Sequence, residues 1–478
     1  MNLNEKADVF EKFLVDNLIS PDNTLMYLWK KDTNECTGYS DMTIWTGVAA
    51  ATFAMKYECL RRQLDHLSCG DEIKATAEAK ELAIRFCEGL FLLHDVTGKP
   101  GLLARGVRSA TYDGSLLENW NLSEKGGLWE WLGDVSTDQL VGWLYGMSVC
   151  YELLGEDEPE ANCCIEDGKI ITPKKVDIRD GIRQRVCAVA DHLIENNMKI
   201  IDIDGKRTKH GDLKNWMGYN GLNCLIGLAV FRLAMNVSIE RKGGYNYDKY
   251  WVYYNKLISK GYHKAAIKAR SKWYEYPYHW YGKHSYSDDN MAFLAYGVLG
   301  FAGCTEEWFY RSLYKTGIFV DKFSNPFWES IYAGIKNNRH EKYHSIKVNW
   351  KVNWIAPRLA LCKKYIKQLS DMRIEQHAIE VNPEDKFYEI PWRDWDFNRT
   401  KKRMKSYLIY FAEWLPLKAR GKRFQSWNIV DINDRKNDSF EWKENPYRLE
   451  KGGNDHNHFV SRIDFLSAYW AGKYFDLL

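Results

Sequence analysis

The feature that most constrains this chain is an alternation between two kinds of helical segment. One kind is apolar nearly all round, as helices enclosed by protein are. It comprises IWTGVAAATFAM from Ile44, LVGWLYGMSVCYELL from Leu140, GLNCLIGLAVFRLA from Gly221 and MAFLAYGVLGFAG from Met291, with shorter versions FWESIYAG from Phe327 and FVSRIDFLSAYWAG from Phe459. The other kind carries a narrow apolar stripe stepping by three and four, the pattern of a helix with one wet face. Ala79, Ala83, Phe86, Leu90 and Leu93 form one stripe, Ile178, Ile182, Val186, Val189 and Leu193 a second, and Tyr250, Tyr254 and Leu257 begin a third. Segments from about Glu5, after Cys304 and around Ala360 to Ile366 are weaker members of this kind. The two kinds alternate six times, outer then inner, which predicts a double ring with inner helices enclosed by outer ones. Proline is scarce, 11 in 478 residues, which suits helices. No fixed repeat period accompanies the pattern.

Each apolar segment follows a polar or aromatic cluster: TGYSDMT, GDVSTDQ, KHGDLKNWMGYN, YGKHSYSDDN, DKFSNP and GGNDHNH, in chain order. Helix capping places Ser, Asp and Asn at such positions and accounts for any one cluster. If the inner helices run in one direction, all six clusters meet at one mouth. Exposed N–H groups and the helix dipoles then favour anions there. The chain is also rich in flat amphipathic rings, with 20 Trp and 30 Tyr. Together these features point to an aromatic-lined cleft.

This pattern resembles the (α/α)6 toroid of the six-hairpin glycosidase superfamily, which includes unsaturated glucuronyl hydrolases and many polysaccharide lyases. GDVSTDQLVGWLYG and the terminal AYWAGKYFDLL look like pieces of uncharacterised bacterial toroid proteins. The resemblance implies an all-α fold whose first eleven helices span residues 1–371, with a closing inner helix in 454–478. Residues 372–453 do not fit a hairpin; they hold IPWRDWDF, the basic run RTKKRMK and a candidate strand RFQSWNIVDI. An insertion of this length inside a compact domain is structured or functional, and reads as a lid or a peripheral subdomain.

Glycoside hydrolysis needs one carboxylic acid for the leaving oxygen and a second carboxylate to activate water or attack. Asp134 and Asp138 in GDVSTDQ, and Asp288 and Asp289 in YSDDN, are the candidates. A capping box from Ser136 to Gln139 is the competing account of the first pair. Arg105 and Arg108 offer forks for a sugar carboxylate or sulfate. Trp45, Trp129, Trp131, Trp216, Trp280 and Trp328 flank the clusters as stacking platforms, although each singly also suits a core. A lyase would instead use His279 or His284 as base, Tyr219 or Tyr278 as acid and Arg105 on the uronate, with Tyr276 and Tyr281 nearby. His456 and His458 complete the mouth; they stand two apart without an evident third ligand, so no metal or other cofactor is expected.

Charge excludes one broad class. Lys plus Arg number 67 against 64 acidic residues, a net +3, too even for a nucleic-acid binder working by bulk charge. The N-terminal stretch carries charges where a secretory signal has an apolar core, and no apolar run suggests a membrane span. Eleven cysteines, an odd number without a CxxC pair, suit a reducing, cytoplasmic setting rather than a disulfide scaffold. The expected function is hydrolysis of acidic, uronate-containing oligosaccharides or polysaccharides. The alternatives are a lyase on the same scaffold and a non-catalytic glycan-binding or structural protein, such as a virion component. Oligomeric state is not legible.

Overall fold

The structure, a computed structural model, describes residues 2–30, 35–64, 70–109, 120–123, 129–155, 160–166, 169–215, 220–238, 247–268, 285–320, 323–337, 366–372, 387–389, 423–426, 431–432, 440–444, 446, 448–450, 458–460 and 462–478. The body is helical. All six apolar segments form helices: α2 (Met42–Leu64), α4 (Thr137–Leu153), α6 (Gly221–Ser238), α9 (Tyr286–Phe301), α11 (Pro326–Asn337) and α12 (Ile463–Tyr474). The striped segments form α1 (Leu3–Asn17), α3 (Gly70–Asp95), α5 (Ile178–Glu195), α7 (Tyr247–Ser259) and α10 (Glu307–Val320), and a short α8 (Tyr262–Ala266) follows α7. Of the segment expected around 360–366, residues 366–371 are helical and 360–365 lie outside the described residues. The last inner helix starts later than its apolar run suggests, because residues 458–460 form a strand and Arg462 adopts a left-handed conformation (φ 57°) just before Ile463.

The inner helices pack on one another: α2 on α4 and α12, α4 on α6 and α9, α6 on α9, α9 on α11, and α11 on α12. They also run the same way. Gly142 of α4 lies against Ile44 near the start of α2, and Gly146 lies one turn on against Gly47. Tyr151 of α4 reaches Val237 of α6, both near their helix ends, and Arg232 of α6 binds the carbonyls of Ala302 and Gly303 just past α9. Trp328 of α11 donates to Asn290 of α9 near both starts, while Ile335 meets Gly300 near both ends. Phe475, just past α12, covers Gly334 at the end of α11, and Trp470 and Tyr474 meet Lys56 and Arg62 of α2. The striped helices run against them; along α2 and α3, Phe53 stacks on Phe86 and Tyr57 meets Lys80.

The α2–α4 crossing is unusually close. A Cβ added at Gly47 would stand 2.0 Å from the Gly142 carbonyl oxygen, and one at Gly146 would stand 2.7 Å from that of Gly47. Only hydrogen side chains allow backbones to approach so closely. One inner helix, α6, is also long and apolar enough to cross a membrane, which the sequence reading did not expect; 78% of it is buried among its neighbours. An enclosed position accounts for that hydropathy equally well.

Among the described residues, five small antiparallel sheets decorate the helices, only one of which the sequence suggested. They are β1 (Leu28–Lys30) between β2 (Glu35–Thr37) and β13 (His458–Val460); β5 (Trp129–Leu132) between β3 (Gly106–Ser109) and β4 (Trp120–Leu122); β6 (Glu160–Glu166) with β7 (Lys169–Asp177); β8 (Lys199–Ile201) with β9 (Arg207–Asp212); and β11 (Arg423–Ser426) between β10 (Phe387–Glu389) and β12 (Arg448–Glu450). Strand β11 is the start of RFQSWNIVDI. Four of these five sheets fall in connections that lead from an outer helix into an inner one. The chain is therefore elaborated at the N-terminal ends of the buried helices.

Two buried cationic side chains brace this frame. The Lys6 ammonium donates to the carbonyls of Leu369, Ser370 and Met372 at 3.3, 2.7 and 2.5 Å, capping the end of the 366–371 helix, and burial lowers its pKa. Arg185 of α5 pairs with Asp95, which also binds His94. Burial pushes the Asp95 carboxyl up, but Arg185 and His94 outweigh it and hold it below its ordinary value.

Two outcomes follow from this packing. Gly47→Ala should cost about 1–3 kcal/mol or more by forcing α2 and α4 apart, read as a lower urea midpoint at unchanged slope; an unchanged midpoint would refute the close crossing. The second concerns His192, whose Nε2 accepts the Ile201 N–H at 3.0 Å. Burial, then Lys99 and His94, depress its pKa to about 4, against ~6.5 in an unfolded chain. The unfolded chain thus takes the proton first. This residue's contribution is intact above about pH 6.5 and shrinks as pH falls toward 4, with a slope approaching ~1.4 kcal/mol per pH unit. Urea midpoints of the parent and His192→Gln between pH 7 and 4 should converge on acidification; parallel curves would contradict the assignment.

Candidate functional site

The close α2–α4 crossing brings two of the polar clusters together. A 3-10 turn, Tyr39–Asp41, leads into α2, and Ser136 leads into α4. Gln139, in the first turn of α4 and wholly buried, donates through Nε2 to Asp41 Oδ1 at 3.1 Å and to the Ser40 carbonyl at 3.3 Å. Its Oε1 accepts the Ser136 N–H at 2.9 Å, and the Ser136 hydroxyl lies against both that oxygen and Asp138 Oδ1. Asp41 and Asp138, both partly exposed, are therefore joined through one amide and one hydroxyl. Both also sit where helix dipoles stabilise negative charge.

Two cations attend Asp41. Arg105 Nε donates to the Ser40 carbonyl at 2.9 Å, and its guanidinium stands 3.6 Å from Asp41 Oδ1. Lys443, from the long insertion, stands 3.5 Å from Asp41 Oδ2 and 5.0 Å from the centre of the Trp45 ring. The segment Phe440–Glu444 lies across several inner-helix starts. Phe440 stacks on Trp45 at 4.4 Å and meets Phe327 edge-on at 5.9 Å. Trp442 Nε1 donates to the Asp464 carbonyl at 2.6 Å, and the Trp442 carbonyl accepts from Asn325 Nδ2 at 2.9 Å. Asp464, at the start of α12, is buried; burial pushes its carboxyl above the ordinary value, against the opposing pull of Arg462 and the N–H groups of Phe465 and Glu441. TGYSDMT, DKFSNP and the start of α12 thus meet through one short turn.

The remaining sequence candidates divide clearly. Asp138 sits in the linked pair. Asp134 ties the β8–β9 hairpin down instead: it holds a left-handed conformation (φ 55°), its N–H donates to Asp202 at 2.6 Å and its Oδ1 accepts the Lys209 N–H at 2.7 Å. Asp288 is half-buried at the start of α9, with its N–H on Ser285 Oγ at 3.3 Å, whereas Asp289 is fully buried. Arg105 reaches the site, but Arg108 does not offer a free fork: β3–β5 pairing sets it opposite Glu130, which it binds at 2.6 Å with Trp120 stacked 4.1 Å away. Trp45, Trp131 and Trp328 are core residues rather than open platforms, each no more than 2% exposed; Tyr27 and Phe440 stack on Trp45, and Phe293 stacks on Trp328. Trp129 is half-buried and donates to Asp22 at 2.8 Å.

Trp216, Tyr219, Tyr276, Tyr278, His279, Trp280, Tyr281, His284 and His456 lie outside the described residues, and the side chain of His458, in β13, is likewise not described. Asp41, Gln139 and Lys443 were not singled out in sequence. Asp41 had a signal, the TGYSDMT cluster itself; Lys443 had none, lying 402 residues from its partner. A double-mutant cycle with Asp41→Asn and Lys443→Met should give a coupling of about 0.5–1 kcal/mol in urea unfolding that shrinks in 1 M salt. Additive effects would mean the pair does not join the insertion to α2. Compared with known proteins, the chain matches no family model, no curated protein and no solved structure.

Proposed function

We propose that the chain is a glycoside hydrolase acting on acidic, uronate-containing oligosaccharides, with its site at the N-terminal ends of the inner helices of an (α/α)6 toroid. The ring reading draws support from the cycle of inner-helix contacts, α2 to α4, α6, α9, α11, α12 and back to α2, and from their common direction. One observation carries the activity: Asp41 and Asp138 are two partly exposed carboxylates linked through Gln139 and Ser136. That is the functional-group set glycoside hydrolysis requires, an acid for the departing oxygen and a carboxylate for water or the anomeric carbon. Gln139 positions Asp41, and Arg105 and the helix N-termini favour an anionic sugar over a neutral one.

The test is turnover of a panel of uronate and neutral oligosaccharides of equal length, following reducing ends and ultraviolet absorbance together. Asp41→Asn and Asp138→Asn should each lower kcat/KM by at least about 100-fold with the helical circular dichroism unchanged, and the uronate preference should weaken as salt rises. Full activity in both variants would overturn the assignment. Absorbance rising with each cut would indicate a lyase, and binding without turnover a glycan-binding protein.

A further inference from the structure

Trp45 is buried in an unusual way. Phe440, from the insertion, stacks on its indole at 4.4 Å with the planes 25° apart, and Lys443 stands 5.0 Å from its centre. The indole is 0% exposed, yet Nε1 has no hydrogen-bond partner among the described residues. A buried donor left unmade is costly. Phe440 offers that donor no acceptor; a sugar in its place can carry a hydroxyl oxygen past the edge of the indole, into the ring plane where the N–H points. Lys443 likewise satisfies Asp41 as a cation, where a substrate would bring hydroxyls.

The turn is held unevenly. On its α11–α12 flank, Trp442 makes hydrogen bonds of 2.6 and 2.9 Å to Asp464 and Asn325, and the Glu441 N–H bonds the Asp464 carboxylate. On its α2 flank stand the Phe440–Trp45 ring stack, the Lys443–Asp41 ion pair at 3.5 Å and the Lys443 ammonium 5.0 Å from the Trp45 ring. At 3.5 Å the Lys443–Asp41 pair is longer than those hydrogen bonds and only partly shielded from solvent, so the α2 flank is the weaker one.

We propose that the Phe440–Glu444 turn is an intrasteric plug: Phe440 and Lys443 occupy the place of a substrate sugar ring on Trp45 and Asp41, and the site opens when they swing away on the Trp442 anchor. The sugar at this position rests on the hydrolase reading; the movement of the turn does not. Hydroxyl-radical footprinting of the unmodified chain, mapped by mass spectrometry, compares Trp45 with Trp143, an equally buried indole of α4 whose Nε1 is satisfied by Leu90. Trp45 should oxidise at least tenfold faster. Joining Asp41→Cys and Lys443→Cys with a short bis-methanethiosulfonate cross-linker, which spans more than a direct disulfide can, should abolish that excess, and reductant, which releases the linker, should restore it. Equal oxidation of the two indoles in the parent would show a fixed core and overturn the plug. With oligogalacturonate as probe, the cross-linked protein should bind at least tenfold more weakly than the same protein after reduction, and equal affinity would overturn the placement of the sugar. If the parent binds no oligosaccharide at all, the hydrolase reading fails, and the footprint alone decides whether the turn is a plug.

Discussion

The polar geometry around Asp41 depends on how closely α2 and α4 approach. Gly47, Gly142 and Gly146 sit inside helices, where each glycine costs about 1 kcal/mol relative to alanine, and the compensation is backbone contact along the first two turns. That contact fixes the register of the two helix starts. With any larger residue at the crossing, Gln139 would be carried away from Asp41 and Ser40, and the link between the two carboxylates would break. A packing constraint in the apolar interior thus sets a polar geometry at its edge.

The ends of the inner helices differ sharply in character. Their middles are apolar and sealed. Their starts hold Gln139, Asp289, Asn290, Asn325, Glu329, Arg462 and Asp464, all buried. Burying so many polar and ionisable groups is expensive unless each is bonded, and a frame built only for stability has little reason to concentrate them at one end. Asn325 and Asp464 bond to the Phe440–Glu444 turn, which therefore belongs to the same unit as these helix starts despite its distance along the chain.

The helices were legible because burial on all sides and burial on one side leave different periodicities, and six of each kind in alternation left little freedom. The common direction of the inner helices was anticipated through the polar clusters that precede them. Apart from the one holding β11, the small sheets were not, since strands of three or four residues such as β3 or β8 show no alternation to read. Arg108 looked available because its partner Glu130 is fixed by strand pairing across residues whose spacing carries no signal. Trp45 and Trp328 looked like platforms because sequence places them at the mouth but does not say what lies on them. In Trp45's case that is a ring from the far end of the chain.

The account stands on Asp41 and Asp138 acting on one glycosidic bond. A crystal structure of the Asp138→Asn protein with a uronate oligosaccharide bound tests it most directly. It should show a glycosidic oxygen within hydrogen-bonding distance of residue 41 or 138, a sugar ring against Trp45, and Phe440 displaced. A sugar bound elsewhere on the molecule, with the Gln139-linked pair untouched and Phe440 still on Trp45, would contradict it.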